Sequence, residues 1–135
     1  IQQGYLAIQK DGTEVRVRKR GAACVLTVKR GAGLEREEVE VGLAPEAFAA
    51  LWPLTSGRRV HKTRYVGRWS GHRVEVDVYR GAHAGLVVAE VEFPHAEASR
   101  AFTPPSWFGR EVTEDRRFAN QQLACRGLPE GTASR

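Results

Sequence analysis

Charge alternates with valine along much of this chain, and no other feature limits its fold so sharply. In Glu14-Val15-Arg16-Val17-Arg18 the charged side chains fall on one parity and the valines on the other. Successive side chains of a strand point to opposite faces of its sheet, so this period of two predicts strands with one polar and one apolar face. A Lys10-Asp11-Gly12-Thr13 turn precedes the segment and joins it to Gln2–Gln9 as a hairpin. Ala23–Lys29 reads as a third strand. Beyond the loop Arg30-Gly31-Ala32-Gly33, residues Arg36, Glu38 and Glu40 share one parity against Val39 and Val41, which makes a fourth. Strands resume at Val60 with HKTRYVGRW, turn at Ser70-Gly71, return as HRVEVDVY and end with LVVAEVEF before Pro94. Between them Pro45 suits a first helical turn, Phe48, Leu51 and Trp52 fall on one face, and Pro53 stops the element. Ala96–Phe102 reads as a second short helix and Asp115–Arg126, with Gly127 behind it, as a third.

About seven antiparallel strands with short helices in 135 residues predict one mainly β domain over 1–127, a closed or nearly closed barrel, and a frayed tail over 128–135. Six strands each carry paired polar residues on one face: Arg16 and Arg18; Thr27 and Lys29; Glu38 and Glu40; Lys62 and Arg64; Glu75 and Asp77; Glu90 and Glu92. An antiparallel sheet with one solvated face would look like this. So would a barrel whose charged face lines the interior while helices cover the valine face. Two observations favour the second. The strand centres segregate by sign, although Arg36 and Arg73 share a parity with the acidic pairs. Converging carboxylate pairs also repel one another unless a cation neutralises them.

Hard carboxylate oxygens select Mg or Mn, which bridge to phosphate oxygens, while Arg grips phosphate through its planar fork and Lys as a point charge. Phosphoryl transfer requires mainly positioning and charge neutralisation, with water activated by a divalent metal; no Ser-His-Asp nucleophile is visible. The formal charge of +5 agrees with an anionic partner without naming it.

Other classes recede. No run of roughly 18 apolar residues occurs, so no membrane partner is expected. Cys24 and Cys125 lie in apolar surroundings at no metal-binding or redox spacing, which reads as reduced packing residues in a cytoplasmic protein. His61, His72, His83 and His95 show no ligand spacing and read as surface or loop residues. Trp52, Trp69 and Trp107 read as packing residues before base-stacking ones. The basic run Arg16–Arg20 alternates with valine and so reads as a one-sided strand, with no nucleic-acid partner expected. The chain opens Ile1-Gln2-Gln3 and contains no Met, which reads as a fragment or processed form.

The segments EVRVRKRG, LTVKRGAGLEREEVEV, KTRYVGRWSGHRVEVDVY and GLVVAEVEFPHAEASRAF, followed by GREVTEDRRFANQQLA, resemble the CYTH superfamily, the triphosphate tunnel metalloenzymes, in their order and combination. The likeness runs from about Gly4 to Ala124, and the closing VTED and N-x-x-LA patterns resemble the short bacterial members. The resemblance implies an antiparallel eight-stranded tunnel with short helices outside, in which Mg or Mn supports hydrolysis of a triphosphate. Carried over by position, Arg16, Arg18, Lys29, Lys62 and Arg64 resemble the phosphate-binding cations. Glu38 and Glu40 resemble the central acidic pair, expected to serve catalysis beside a second metal that activates water. Asp77, Glu90 and Glu92 resemble the metal ligands, and Glu75 shares their face. Tyr5 lies in the family's QGYL segment, near the tunnel mouth or in a structural role. The family's first strand, E-x-E-x-K, is absent from these residues, so an upstream strand is expected; without it the barrel is expected to have an open edge, weak metal binding and little turnover. Inorganic triphosphate is the leading substrate and monomer or homodimer the expected state. A nucleoside or thiamine triphosphatase, a class IV adenylyl cyclase and a non-catalytic polyphosphate-binding module are the alternatives.

Overall fold

A computed structural model describes residues 1–31 and 37–129. Arg36, expected at the start of the fourth strand, lies outside the described residues, as does the tail from residue 130. Seven strands follow the alternation: β1 (Gln2–Ile8), β2 (Glu14–Arg20), β3 (Ala23–Arg30), β4 (Glu37–Leu43), β5 (Arg59–Trp69), β6 (His72–Arg80) and β7 (Val87–Val91). They form one antiparallel sheet in the order β4-β3-β2-β1-β5-β6-β7. Among the described residues β4 and β7 remain unpaired edges, so the expected closed barrel is an open seven-stranded sheet. β5 and β6 are joined by the two residues Ser70 (φ 51) and Gly71 (φ 80), the double positive φ of a type I′ turn whose twist suits a hairpin. At the β1–β2 turn the Asp11 side chain accepts a hydrogen bond from Thr13 N (2.9 Å), fixing the Asp-Gly corner.

Helix α1 (Pro45–Leu51) carries Pro at its start and packs Phe48 against Val17 and Cys24, with Leu6, Leu26, Leu43, Leu51 and Trp52 around them. This is the valine face of β1–β4, so α1 lies outside as expected. Pro53 removes a donor and tightens the chain into a 3-10 turn, Trp52–Thr55. Thr55 packs so closely over β1 that a Cβ at Gly4 would stand 2.5 Å from its Oγ1. Trp52 stacks on Phe48 and holds the Arg59 guanidinium over its ring, a packing role. Helix α2 (Ala96–Ala101) is followed by Phe102, which meets His72 and Phe93 on the outer face of the second hairpin.

The third helix departs from expectation. It begins at Asn120, not Asp115, behind a 3-10 turn at Arg116–Phe118, and α3 (Asn120–Arg126) ends at Gly127 with φ 76. Leu123 and Ala124 pack on Tyr5, Val60, Tyr79 and Leu86. Tyr5, Val60 and Tyr79 share the parity of the charged residues, so α3 does not lie outside but covers one end of the charged face. Leu128, expected in a frayed tail, packs against the same cluster. His83 is buried here rather than exposed in a loop, its Nε2 2.5 Å from Leu123 O, because the 3-10 turn Gly81–His83 aims it at α3. Cys24 is buried, whereas Cys125 on α3 is exposed and does not serve packing.

Candidate active site

Cross-strand partners in an antiparallel sheet share a face. Arg16 lies opposite Tyr5 and Arg18 opposite Gln3 on one side, and Thr27 and Val25 on the other. Thr27 and Lys29 face Glu40 and Glu38. Gln3 faces Val60, which carries the face onto β5 and its residues Lys62 and Arg64. Arg64 faces Asp77, and Glu75 faces Glu90. Glu92, just past β7, keeps the parity and bonds through its N–H to Arg73 O. All eleven residues expected to bind substrate, serve catalysis or hold metal therefore lie on one face of one sheet.

Although the strand centres segregate by sign along the chain, the register sets the two signs side by side. The cations of β5 stand directly against the carboxylates of β6. Arg64 donates to both Asp77 oxygens (2.8 and 2.9 Å) and lies 2.8 Å from Glu75 Oε2. Lys62 Nζ is 2.8 Å from Asp77 Oδ2, with both side chains buried at 0% and 3% exposure. Burial alone would push the Asp77 carboxyl up, but the hydrogen bonds from Arg64 and Lys62 outweigh it and hold it below the usual carboxylate range. The bond to Asp77 raises the Arg64 pKa despite burial, whereas burial lowers that of Lys62 against the pull of Asp77.

A second chain of contacts, which the sequence reading did not single out, lies on β1 and β2. Arg18 Nε donates to Gln3 Oε1 (2.8 Å) and Gln3 Nε2 donates to the Tyr5 hydroxyl (2.9 Å). Gln3 is fully buried, and burial pushes the Tyr5 phenol up to about 12. Tyr5 thus belongs to the closed end beneath α3, not to an open mouth. Burial also lowers the Arg18 guanidinium, with Arg16 and Arg64 adding to the effect, which brings cations of β2 and β5 into one electrostatic environment. The signal for Gln3 was available in part: a polar residue on the charged parity of a strand is a candidate for the site.

The donor set suits a hard divalent cation in chemistry, because Glu38, Glu40, Glu75, Glu90 and Glu92 offer only carboxylate oxygens on the shared face. Glu75 stands directly opposite Glu90, a like-charge pair that a cation would relieve. Asp77 faces Val88 instead, and its two oxygens are taken by Arg64 and Lys62. Among the described residues no three His, Cys, Asp or Glu side chains converge.

No family model matches the chain. The inorganic triphosphatase of Nitrosomonas europaea is 46% identical over 125 residues, covering 92% of this chain and 83% of that protein. The inorganic triphosphatase of Acetivibrio thermocellus is 40% identical over 123 residues, covering 90% of this chain and 77% of that protein. The crystal structure of the inorganic triphosphatase NE1496 matches the fold with a TM-score of 0.80 at 43% identity, over 95% of this chain and 86% of that one. A second crystal structure, of the hypothetical protein NE1496, gives a TM-score of 0.79 over 95% of this chain and 85% of that one. Identity at this level, over most of both sequences and with the fold in common, places the chain in the inorganic triphosphatase family.

Proposed function

We propose that the charged face binds inorganic triphosphate and hydrolyses it to pyrophosphate and phosphate with Mg or Mn. The observation that carries this reading is the register, which gathers the five expected cations and six expected carboxylates on one face, floored at one end by α3. In this reading Arg16, Arg18, Lys29 and Arg64 neutralise the phosphate oxygens. Arg64, locked bidentately on Asp77, presents a guanidinium whose direction is fixed before substrate arrives. Lys62, wholly buried, adds positive potential from beneath. The carboxylates of Glu38 and Glu40 orient the attacking water and accept its proton as the phosphoanhydride bond breaks, and the arginines stabilise the charge that gathers on the leaving pyrophosphate. With Asp77 as the support of Arg64, the opposed Glu75 and Glu90 would hold a divalent cation, with Glu92 two residues further along, and the cation would supply charge neutralisation for the phosphate and lower the pKa of water. A tunnel of the CYTH kind would join the edges of β4 and β7, which are unpaired among the described residues.

The test is incubation of the protein with tripolyphosphate, ATP or thiamine triphosphate, with and without Mg or Mn. Equal amounts of phosphate and pyrophosphate, fastest from tripolyphosphate and only with metal, are expected. Faster turnover of ATP, or cyclic AMP among the products, would move the assignment to a nucleotide substrate.

A further inference from the structure

Resting on that reading, we propose that Asn120, the first residue of α3, is a positioning residue for Lys62, which makes the C-terminal helix a working part of the substrate site. Lys62 faces Tyr79 across the β5–β6 pair, and successive pairs outward are Arg64–Asp77, Val66–Glu75 and Arg68–Arg73. Lys62 is therefore the innermost cation of this ladder, at the end that α3 covers. Its ammonium has two side-chain acceptors: Asp77 Oδ2 lies at 2.8 Å and Asn120 Oδ1 at 3.4 Å, with the Tyr79 ring centroid at 5.5 Å. The same Asn120 oxygen accepts a 2.6 Å hydrogen bond from the Tyr79 hydroxyl. One carbonyl oxygen thus ties the helix to both members of the innermost pair.

Asp77 alone does not fix the ammonium in this way. Its Oδ2 already serves Arg64 Nη2 at 2.9 Å, so Lys62 shares that oxygen with a second cation. Asn120 offers a second, neutral acceptor, which counters collapse of the ammonium onto Asp77 without cancelling its charge. A neutral amide suits this purpose, because a carboxylate there would draw the lysine charge away from a bound phosphate. Helix α3 is held independently, by Leu123 and Ala124 against Tyr5, Val60 and Leu86, so substitution at Asn120 removes the tether without removing the helix.

The experiment measures tripolyphosphate affinity by calorimetry in EDTA and turnover with Mg, for the unsubstituted protein, Asn120→Ala, Lys62→Arg and the double variant, each checked for folding by circular dichroism. Asn120→Ala is expected to weaken tripolyphosphate binding by about tenfold, the scale of one hydrogen bond to a charged group. In the Lys62→Arg background the same change is expected to cost less than about twofold, because the arginine head no longer meets Asn120 in the same way. Asn120→Asp, which keeps the oxygen but adds charge, is expected to retain the fold while binding tripolyphosphate more weakly than the unsubstituted protein. Equal losses from Asn120→Ala in the two backgrounds, or unchanged affinity in folded Asn120→Ala, would overturn the inference. Binding without any turnover in the unsubstituted protein would count against the proposed hydrolysis alone, with the affinity ratios still deciding the role of Asn120. Absence of binding by the unsubstituted protein would overturn both.

Discussion

Replacing Asp77 by Asn leaves the shape of the site nearly unchanged while removing the charge that Lys62 and Arg64 share. Lys62 is fully buried and its other acceptor is the neutral Asn120 oxygen, so Asp77 is the anion that compensates its charge. Removing one partner of a buried ion pair costs about 3–5 kcal/mol, because the surviving charge stays desolvated and unpaired. The lower part of that range applies here, since an asparagine oxygen still accepts one bond and Arg64 keeps Glu75 at 2.8 Å. A loss of about 3 kcal/mol is large against the total of about 5–15 kcal/mol typical of a domain. Urea unfolding at pH 7 should show the midpoint fall by about 1–2 M with an unchanged slope. Adding Lys62→Met removes the orphaned charge and should recover most of the loss. A cost below about 1 kcal/mol for Asp77→Asn, or a double variant less stable than the single one, would refute the view that Asp77 compensates a buried ammonium.

The same group sets an acid limb. Because the Asp77 pKa is lower in the folded state than the unfolded value of about 3.9, its stabilisation is full above that value and is lost as pH falls through the folded one. Stability of the unsubstituted protein should therefore fall below about pH 4 more steeply than that of Asp77→Asn, as followed by thermal melts across pH. Gly4→Ala places a Cβ 2.5 Å from Thr55 Oγ1, against a buried side chain that donates to Trp52 O and accepts from Arg59, and should cost about 1–3 kcal/mol in the same urea assay. Glu90→Gln with Glu92→Gln should leave the melting temperature in EDTA unchanged or raised, by relieving repulsion with Glu75, while abolishing any stabilisation by Mg or Mn. Of the two thiols, exposed Cys125 should react with a thiol reagent at once and buried Cys24 only on unfolding, which a colorimetric titration with and without denaturant would resolve.

The strands were legible because alternation is a local property. Val15 and Val17 against Arg16 and Arg18 predict a two-faced strand, and Asp11-Gly12 marks the turn before it, without any knowledge of what lies opposite. That the paired site residues of each strand share one face of that strand was legible for the same reason. Register is non-local, and what depends on it was hidden. Nothing in HKTRY and VEVDVY says that Arg64 meets Asp77, so strand centres that segregate by sign gave no hint that the two signs are neighbours. Nor does parity say which stretch of a charged face is capped. Tyr5, Val60 and Tyr79 share parity with Arg16, Lys62 and Asp77, yet they form an apolar floor under Leu123, and only the three-dimensional path of α3 reveals it. The same path buries His83 and brings Asn120 to Lys62.

The central claim is that one charged face of this sheet binds and cleaves a triphosphate. Its most direct measurement is release of phosphate and pyrophosphate from tripolyphosphate by the intact protein with Mg or Mn, compared with Arg64→Met. Stoichiometric release of the two products, falling at least about a hundredfold in Arg64→Met while circular dichroism reports a folded chain, is the predicted result. Hydrolysis by folded Arg64→Met at the unsubstituted rate, or neither binding nor cleavage of tripolyphosphate by the intact protein, would contradict it.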